Sequence, residues 1–141
     1  MQYLLLIYEN EQRFSQGYDQ AEMSQYQAFG KEFSKNIKGS NALQPTRTAK
    51  TVRVRNGKPA NTDGPFAETK ELVAGFWLWE CRSKEEAIEW AKRCPNPFPD
   101  GESEIEIRQV FEADDFGAEF TPELREQEQR VAEQAAANAR R

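Results

Sequence analysis

The chain has no histidine. That absence excludes Ser–His–Asp triads and imidazole-ligated zinc, and it removes the commonest general base. Cysteine is scarce. Cys81 and Cys94 stand thirteen positions apart, and the expectation is free thiols in a reducing cytoplasm. Neither has a basic neighbour in sequence that would make a reactive thiolate. Long apolar runs are missing too: Tyr3–Tyr8 is far short of the ~18 residues of a membrane span, and it lacks the basic flank of a signal peptide. No phosphate-cradling glycine loop, nucleophile elbow or metal-ligand cluster is written into the chain, so neither metal nor cofactor is expected. A basic face for nucleic acid is also absent, since Arg47, Lys50, Arg53, Arg55 and Lys58 have no interleaved aromatics.

What is present suits one small domain. Of 141 residues (16.3 kDa), Leu, Ile, Val and Phe make up 26, close to the boundary where disorder becomes a concern. The net charge of only −5 and sixteen aromatics argue for a packed core over most of the chain. Residues 112–141 carry eight acids and four bases, so most of the negative charge sits at the C-terminal end.

Residues 2–8 read as a first strand. Asp19 and Glu22 give a helix-start signature. Met23, Tyr26, Gly30, Phe33 and Ile37 then form an apolar stripe that predicts a helix to about Lys38, ended by Gly39. Gly30 on that stripe suggests close approach of the helix to a sheet. Thr51–Arg55 alternates, Asn56-Gly57 is a type I′ hairpin signal, and Lys58–Thr62 returns with Pro59 marking an edge. A strand over about Leu72–Cys81 follows. Ser83 and Glu86 then open a second helix with Ala87, Ile88, Ala91 and Cys94 on its apolar side. The last strand, Glu102–Phe111, turns Ile105 and Ile107 inward.

The expected fold is α+β and ferredoxin-like: a βαβ-hairpin-βαβ sheet with two helices on one face. The first strand is apolar on both faces (Tyr3, Leu5, Ile7; Leu4, Leu6, Tyr8), and so is the third main strand (Trp77, Trp79; Phe76, Leu78). Two helices cover one face only. The uncovered side therefore predicts a homodimer packed through its sheet faces. Residues 1–111 form the expected domain, with an acidic linker and a C-terminal helix or arm over 112–141. Thr121 and Pro122 open that helix. It has little to bury, and it reads as a solvated helix, an arm across a partner subunit or a docking element, with Phe116 and Phe120 as docking points.

Tyr3–Tyr8, Thr51–Arg55, Thr62–Glu71 (with Asp63-Gly64-Pro65-Phe66 at its centre) and Ala87–Ala91 closely resemble the YCII-related proteins of the DGPF subgroup. The resemblance covers residues 1–111, and Phe116–Gln129 resembles the tail of longer members. It implies a dimeric α+β barrel and a small cytoplasmic protein acting on a small organic molecule. It also implies an association with extracytoplasmic-function sigma factors. Shorter relatives are thought to use a His–Asp pair, whose histidine this chain lacks.

Asp63-Gly64-Pro65-Phe66 can make a rigid corner, because Pro65 keeps Gly64 out of the helical region. Asp63 is then a candidate general base or ligand anchor, with Phe66 as an apolar wall and Glu68 as a second carboxylate. Base chemistry would require its pKa to rise. Equally, Asp63 can satisfy the turn's own amides. Gly64, Pro65, Phe66, Glu68, Arg53 and Tyr8 are the candidate ligand contacts. Arg53 and Arg55 fit an anionic ligand or cross-strand pairs with Glu104 and Glu106. Trp77, Trp79 and Tyr8 fit either a stacked ligand or core packing. The sequence thus favours a homodimeric small-molecule-binding protein, with cofactor-free proton-transfer or lyase chemistry at Asp63 if it is an enzyme. The rival is a regulatory protein contacting a sigma factor through its acidic tail. Nucleic acid and membrane are not expected partners.

Overall fold

The computed structural model describes residues 1–10, 16–63, 71–95 and 103–140, except the side chains of 62, 63 and 71. It contains two compact units, Met1–Gln109 and Val110–Arg141.

In the first unit β1 (Gln2–Asn10), β2 (Ile37–Ala42), β5 (Glu71–Glu80) and β6 (Glu104–Gln109) form an antiparallel sheet in the order β2-β5-β1-β6. Between them lie α1 (Gln20–Glu32) and α2 (Lys84–Ala91). Strands β3 (Lys50–Arg55) and β4 (Lys58–Asp63) make a separate two-stranded sheet. The α+β, ferredoxin-like reading is correct. One element within it is corrected. The helix stops at Glu32 with Phe33 as its C-cap, and residues 37–42 are a strand pairing with β5. Ile37 continues the helical spacing only by coincidence, and Gly39 lies opposite Leu78 in the ladder. This strand takes the sheet position that the sequence assigns to the hairpin.

Alternation along β1 decides the core. Tyr3, Leu5, Ile7 and Glu9 are buried on one face, whereas Leu4, Leu6 and Tyr8 are half-buried on the other. Trp77 and Trp79 share the inner face, stacked with ring centroids 5.6 Å apart. Both helices cover that face: Phe29 and Phe33 of the α1 segment meet Trp79, and Trp90 of α2 meets Phe33 and Trp79. Burying each such ring contributes roughly 1.5–3 kcal/mol. Both N-caps form at Asp19 and Ser83, but only the first closes a full box, because the Glu86 carboxylate accepts from the Arg82 backbone N–H and guanidinium instead. Asp19 and Glu22 close a reciprocal capping box with two 2.8 Å bonds, and Ser83 accepts from the Glu86 N–H. Arg93 pairs with Glu32 and lies over the Phe33 ring, joining the two helix ends.

The hairpin turns on Asn56 (φ 51°) and Gly57 (φ 74°), the paired left-handed geometry of a type I′ turn. Val52 and Val54 are 62% and 66% exposed, and Arg53 and Arg55 on the opposite face are exposed as well. Arg53 lies opposite Ala60, so the arginine pairing with β6 is corrected: β3 does not join that sheet.

In the second unit Ala113–Glu119 makes two 3₁₀ turns meeting at Gly117 (φ 70°), followed by α3 (Pro122–Ala139) capped by Thr121. Phe111, Phe116 and Phe120 follow one another as tilted ring pairs with centroids 5.1 and 5.3 Å apart, and Arg125 binds Asp114 and the Phe120 carbonyl. No residue of α3 is buried. Among the described residues no helix is long and apolar enough to cross a membrane.

Candidate functional site

A cavity of about 530 Å³ opens between α1 and the inner face of the sheet. Local sequence makes the room for it. Gly30 faces it from α1, where a Cβ would meet nothing within 4 Å. The expected close approach at Gly30 is therefore absent, and the missing side chain leaves space instead. A register shift opposite Ile7 and Tyr8 inserts Ala74 into β5, so Ala74 and Gly75 give the cavity a floor of small residues. Gly75 is where close approach does occur: a Cβ there would lie 2.9 Å from the Asn41 carbonyl oxygen.

Glu9 supplies the chemistry. It is 2% exposed, at the last inward position of β1, two residues beyond Ile7. A carboxylate in such a place is costly unless donors reach it. The Tyr18 hydroxyl donates to one carboxylate oxygen at 2.8 Å and the Tyr26 hydroxyl to the other at 3.4 Å. Both tyrosines line the cavity with Trp77. Tyr18 and Tyr26 meet edge to face at 6.2 Å, and Tyr26 and Trp77 are tilted at the same separation. Burial first, and then the Glu9 charge, raise the Tyr26 pKa, which keeps its proton on the donor side of the bond. The same two causes, in the same order, push the Cys94 thiol up to about 12. Burial pushes Cys81 up to about 11. Neither is a thiolate at neutral pH.

The residues singled out from sequence fall elsewhere. Tyr8 points to the outer face, where its hydroxyl donates to Glu106 at 3.1 Å, so it does not line the cavity. Arg53 is on the exposed hairpin. Asp63 ends β4 opposite Lys50, but its side chain lies outside the described residues, as do Gly64, Pro65, Phe66 and Glu68. Trp77 and Trp79 are core residues, and Trp77 also walls the cavity. Glu9, Tyr18 and Gln27 went unnoticed in the sequence. A signal for Glu9 existed: inward parity at 3, 5 and 7 carries to 9. Among the described residues no cluster of three His, Cys, Asp or Glu side chains would hold a metal ion.

The model of the YCII-related domain matches residues 1–114. The chain belongs to this family. An uncharacterized protein of Rhizobium meliloti is 46% identical to this YCII-related chain over 57 residues. That match spans 40% of this chain and 46% of the relative, so less than half of the relative's length is covered. Among solved structures, a 5-chloro-2-hydroxyhydroquinone dehydrochlorinase from Burkholderia phenoliruptrix, in complex with 2,5-dihydroxybenzoquinone, is similar at a TM-score of 0.38 and 14% identity. That alignment covers 79% of this YCII-related chain and 96% of the dehydrochlorinase. Likeness at that depth carries no statement about this chain's chemistry.

Proposed function

We propose that this YCII-related protein binds a small organic molecule in the cavity between α1 and the sheet, as a cytoplasmic homodimer. The observation that carries the reading is Glu9: a buried carboxylate held by two tyrosine hydroxyls at the wall of a cavity of about 530 Å³. Ligand pockets commonly measure roughly 300–1,000 Å³, with apolar walls and a few convergent polar groups. Filling the space from Gly30 tests it. Gly30→Leu places a side chain in the open volume and replaces a poor helix former, so the fold is expected to persist while binding is lost. Thermal-shift screening of small phenols, carboxylates and amines should find a ligand that stabilises wild type and not Gly30→Leu. Equal stabilisation of both proteins by every hit would overturn the reading.

Proton-transfer or lyase chemistry at Asp63 is the finer form of the same proposal. With a ligand from the screen, Asp63→Asn should abolish turnover and leave binding intact. Turnover retained in that variant removes Asp63 from the chemistry. A regulatory role is favoured by one feature, the C-terminal unit, where Phe111 and Phe116 are 68% and 54% exposed amid net negative charge. Under that alternative an extracytoplasmic-function sigma factor co-purifies with the full chain and is lost on deletion of residues 112–141.

A further inference from the structure

We infer that the cavity selects an uncharged, flat molecule whose polar edge carries a hydrogen-bond donor and an acceptor side by side, as a carboxamide does. This deepens the small-molecule reading and rests on it. The polar residues lining the cavity fall into two groups. Glu9 and Tyr18 are already engaged, with each other and beyond that contact, and Tyr26 donates to Glu9 as well. They form a satisfied wall. Gln27 and Ser40 differ. Both line the cavity, and among the described residues neither side chain makes a hydrogen bond within the chain. Gln27 stands about one turn from Met23 and Gly30, on the α1 face that looks onto the cavity. Ser40 lies on β2 opposite Trp77, which places it on the inner face of the sheet.

A carboxamide and a hydroxyl are neutral, and each offers both a donor and an acceptor. Their complement is an uncharged group that does the same. Charge points the same way. Among the described residues lining the cavity, Glu9 is the sole charged side chain, and none is Lys or Arg. A carboxylate or phosphate ligand would find no cation there. An ammonium would find the one carboxylate already engaged. Either ion would give up its water without an equivalent partner, whereas a neutral amide or hydroxyl gives up far less. The rings of Tyr26 and Trp77 border a floor of small residues, Ala42, Ala74 and Gly75, and this suits a flat body that packs against ring faces.

Three probes share a naphthalene ring and differ in charge: 2-naphthamide, 2-naphthoate and 2-(aminomethyl)naphthalene. Titrated into the full chain at neutral pH and followed by NMR chemical shifts, the amide should bind at least about tenfold more tightly than either charged probe. Gln27→Leu and Ser40→Ala each remove polar atoms from an exposed residue, so the fold is expected to persist. Each should weaken the amide roughly 2- to 10-fold, the loss of one net hydrogen bond. Gly30→Leu should abolish its binding. A charged probe that matches the amide, with binding lost in Gly30→Leu, overturns the ligand class and leaves the cavity reading standing. So does amide binding that Gly30→Leu abolishes but neither Gln27→Leu nor Ser40→Ala changes. No binding by any probe, or binding indifferent to Gly30→Leu, overturns both.

Discussion

Gly30 and Gly75 show how one residue type carries opposite meanings. Glycine within a helix costs roughly 0.5–1 kcal/mol relative to alanine, and at Gly30 nothing stands in the way of a methyl group. Gly30→Ala should therefore raise stability by about that amount in urea unfolding. Gly75→Ala, whose Cβ would press on the Asn41 carbonyl at 2.9 Å, should lower it by about 1–3 kcal/mol. Equal effects at the two sites would contradict the cavity. Cys94 gives a pH signature. Its folded pKa, about 12, is raised above the ordinary value of 9.0, so its contribution to stability is complete below pH 9 and is lost as pH rises toward 12. Under reducing conditions the wild-type urea midpoint should fall over that interval, and Cys94→Ala should start lower but fall less steeply. Parallel curves would mean that the thiol is not the group responsible. At this scale the caps at Asp19 and Ser83 were legible because capping is local. The role of Gly30 was not, because an absent side chain marks space only once the facing element is known.

Among the elements, β1, the hairpin turn and both helix starts were readable from short-range chemistry. The boundary at Glu32 was not. Phe33 and Ile37 keep the four-residue spacing, yet Ile37 belongs to a strand whose hydrogen bonds go to β5. Periodicity reports where apolar residues recur; it cannot report which backbone partners become available. The hairpin itself was located correctly, but its place in the fold was not. A two-stranded ribbon with both faces exposed has little burial to support it. Amide hydrogens of β3 and β4 should therefore exchange well before those of β1 and β5 in native-state hydrogen exchange. Equal protection would show that the ribbon is covered in solution.

For the whole molecule the open question is the outer face of the sheet. Leu4 pairs with Leu78 and Leu6 with Phe76, placing four half-buried apolar side chains side by side on the face that the helices leave uncovered. The homodimer we propose would bury this patch. Light scattering should give twice the 16.3 kDa chain mass, and Leu6→Glu, a charge in the middle of the patch, should yield monomers with an intact fold. A wild-type monomer at high micromolar concentration would sink that part of the proposal.

By itself the amino-acid sequence determined the strand faces, the caps, the hairpin turn and the α+β arrangement, because each depends on neighbours within a few positions or on simple alternation. Only the tertiary structure decided that Glu9, Tyr18, Tyr26 and Gly30 meet around one cavity. These residues come from a strand end, a cap-flanking position and two turns of a helix, and no local pattern joins them. Only the packed fold brings the Tyr18 hydroxyl, from just before the helix cap, and the Tyr26 hydroxyl, from the helix itself, onto the two Glu9 oxygens.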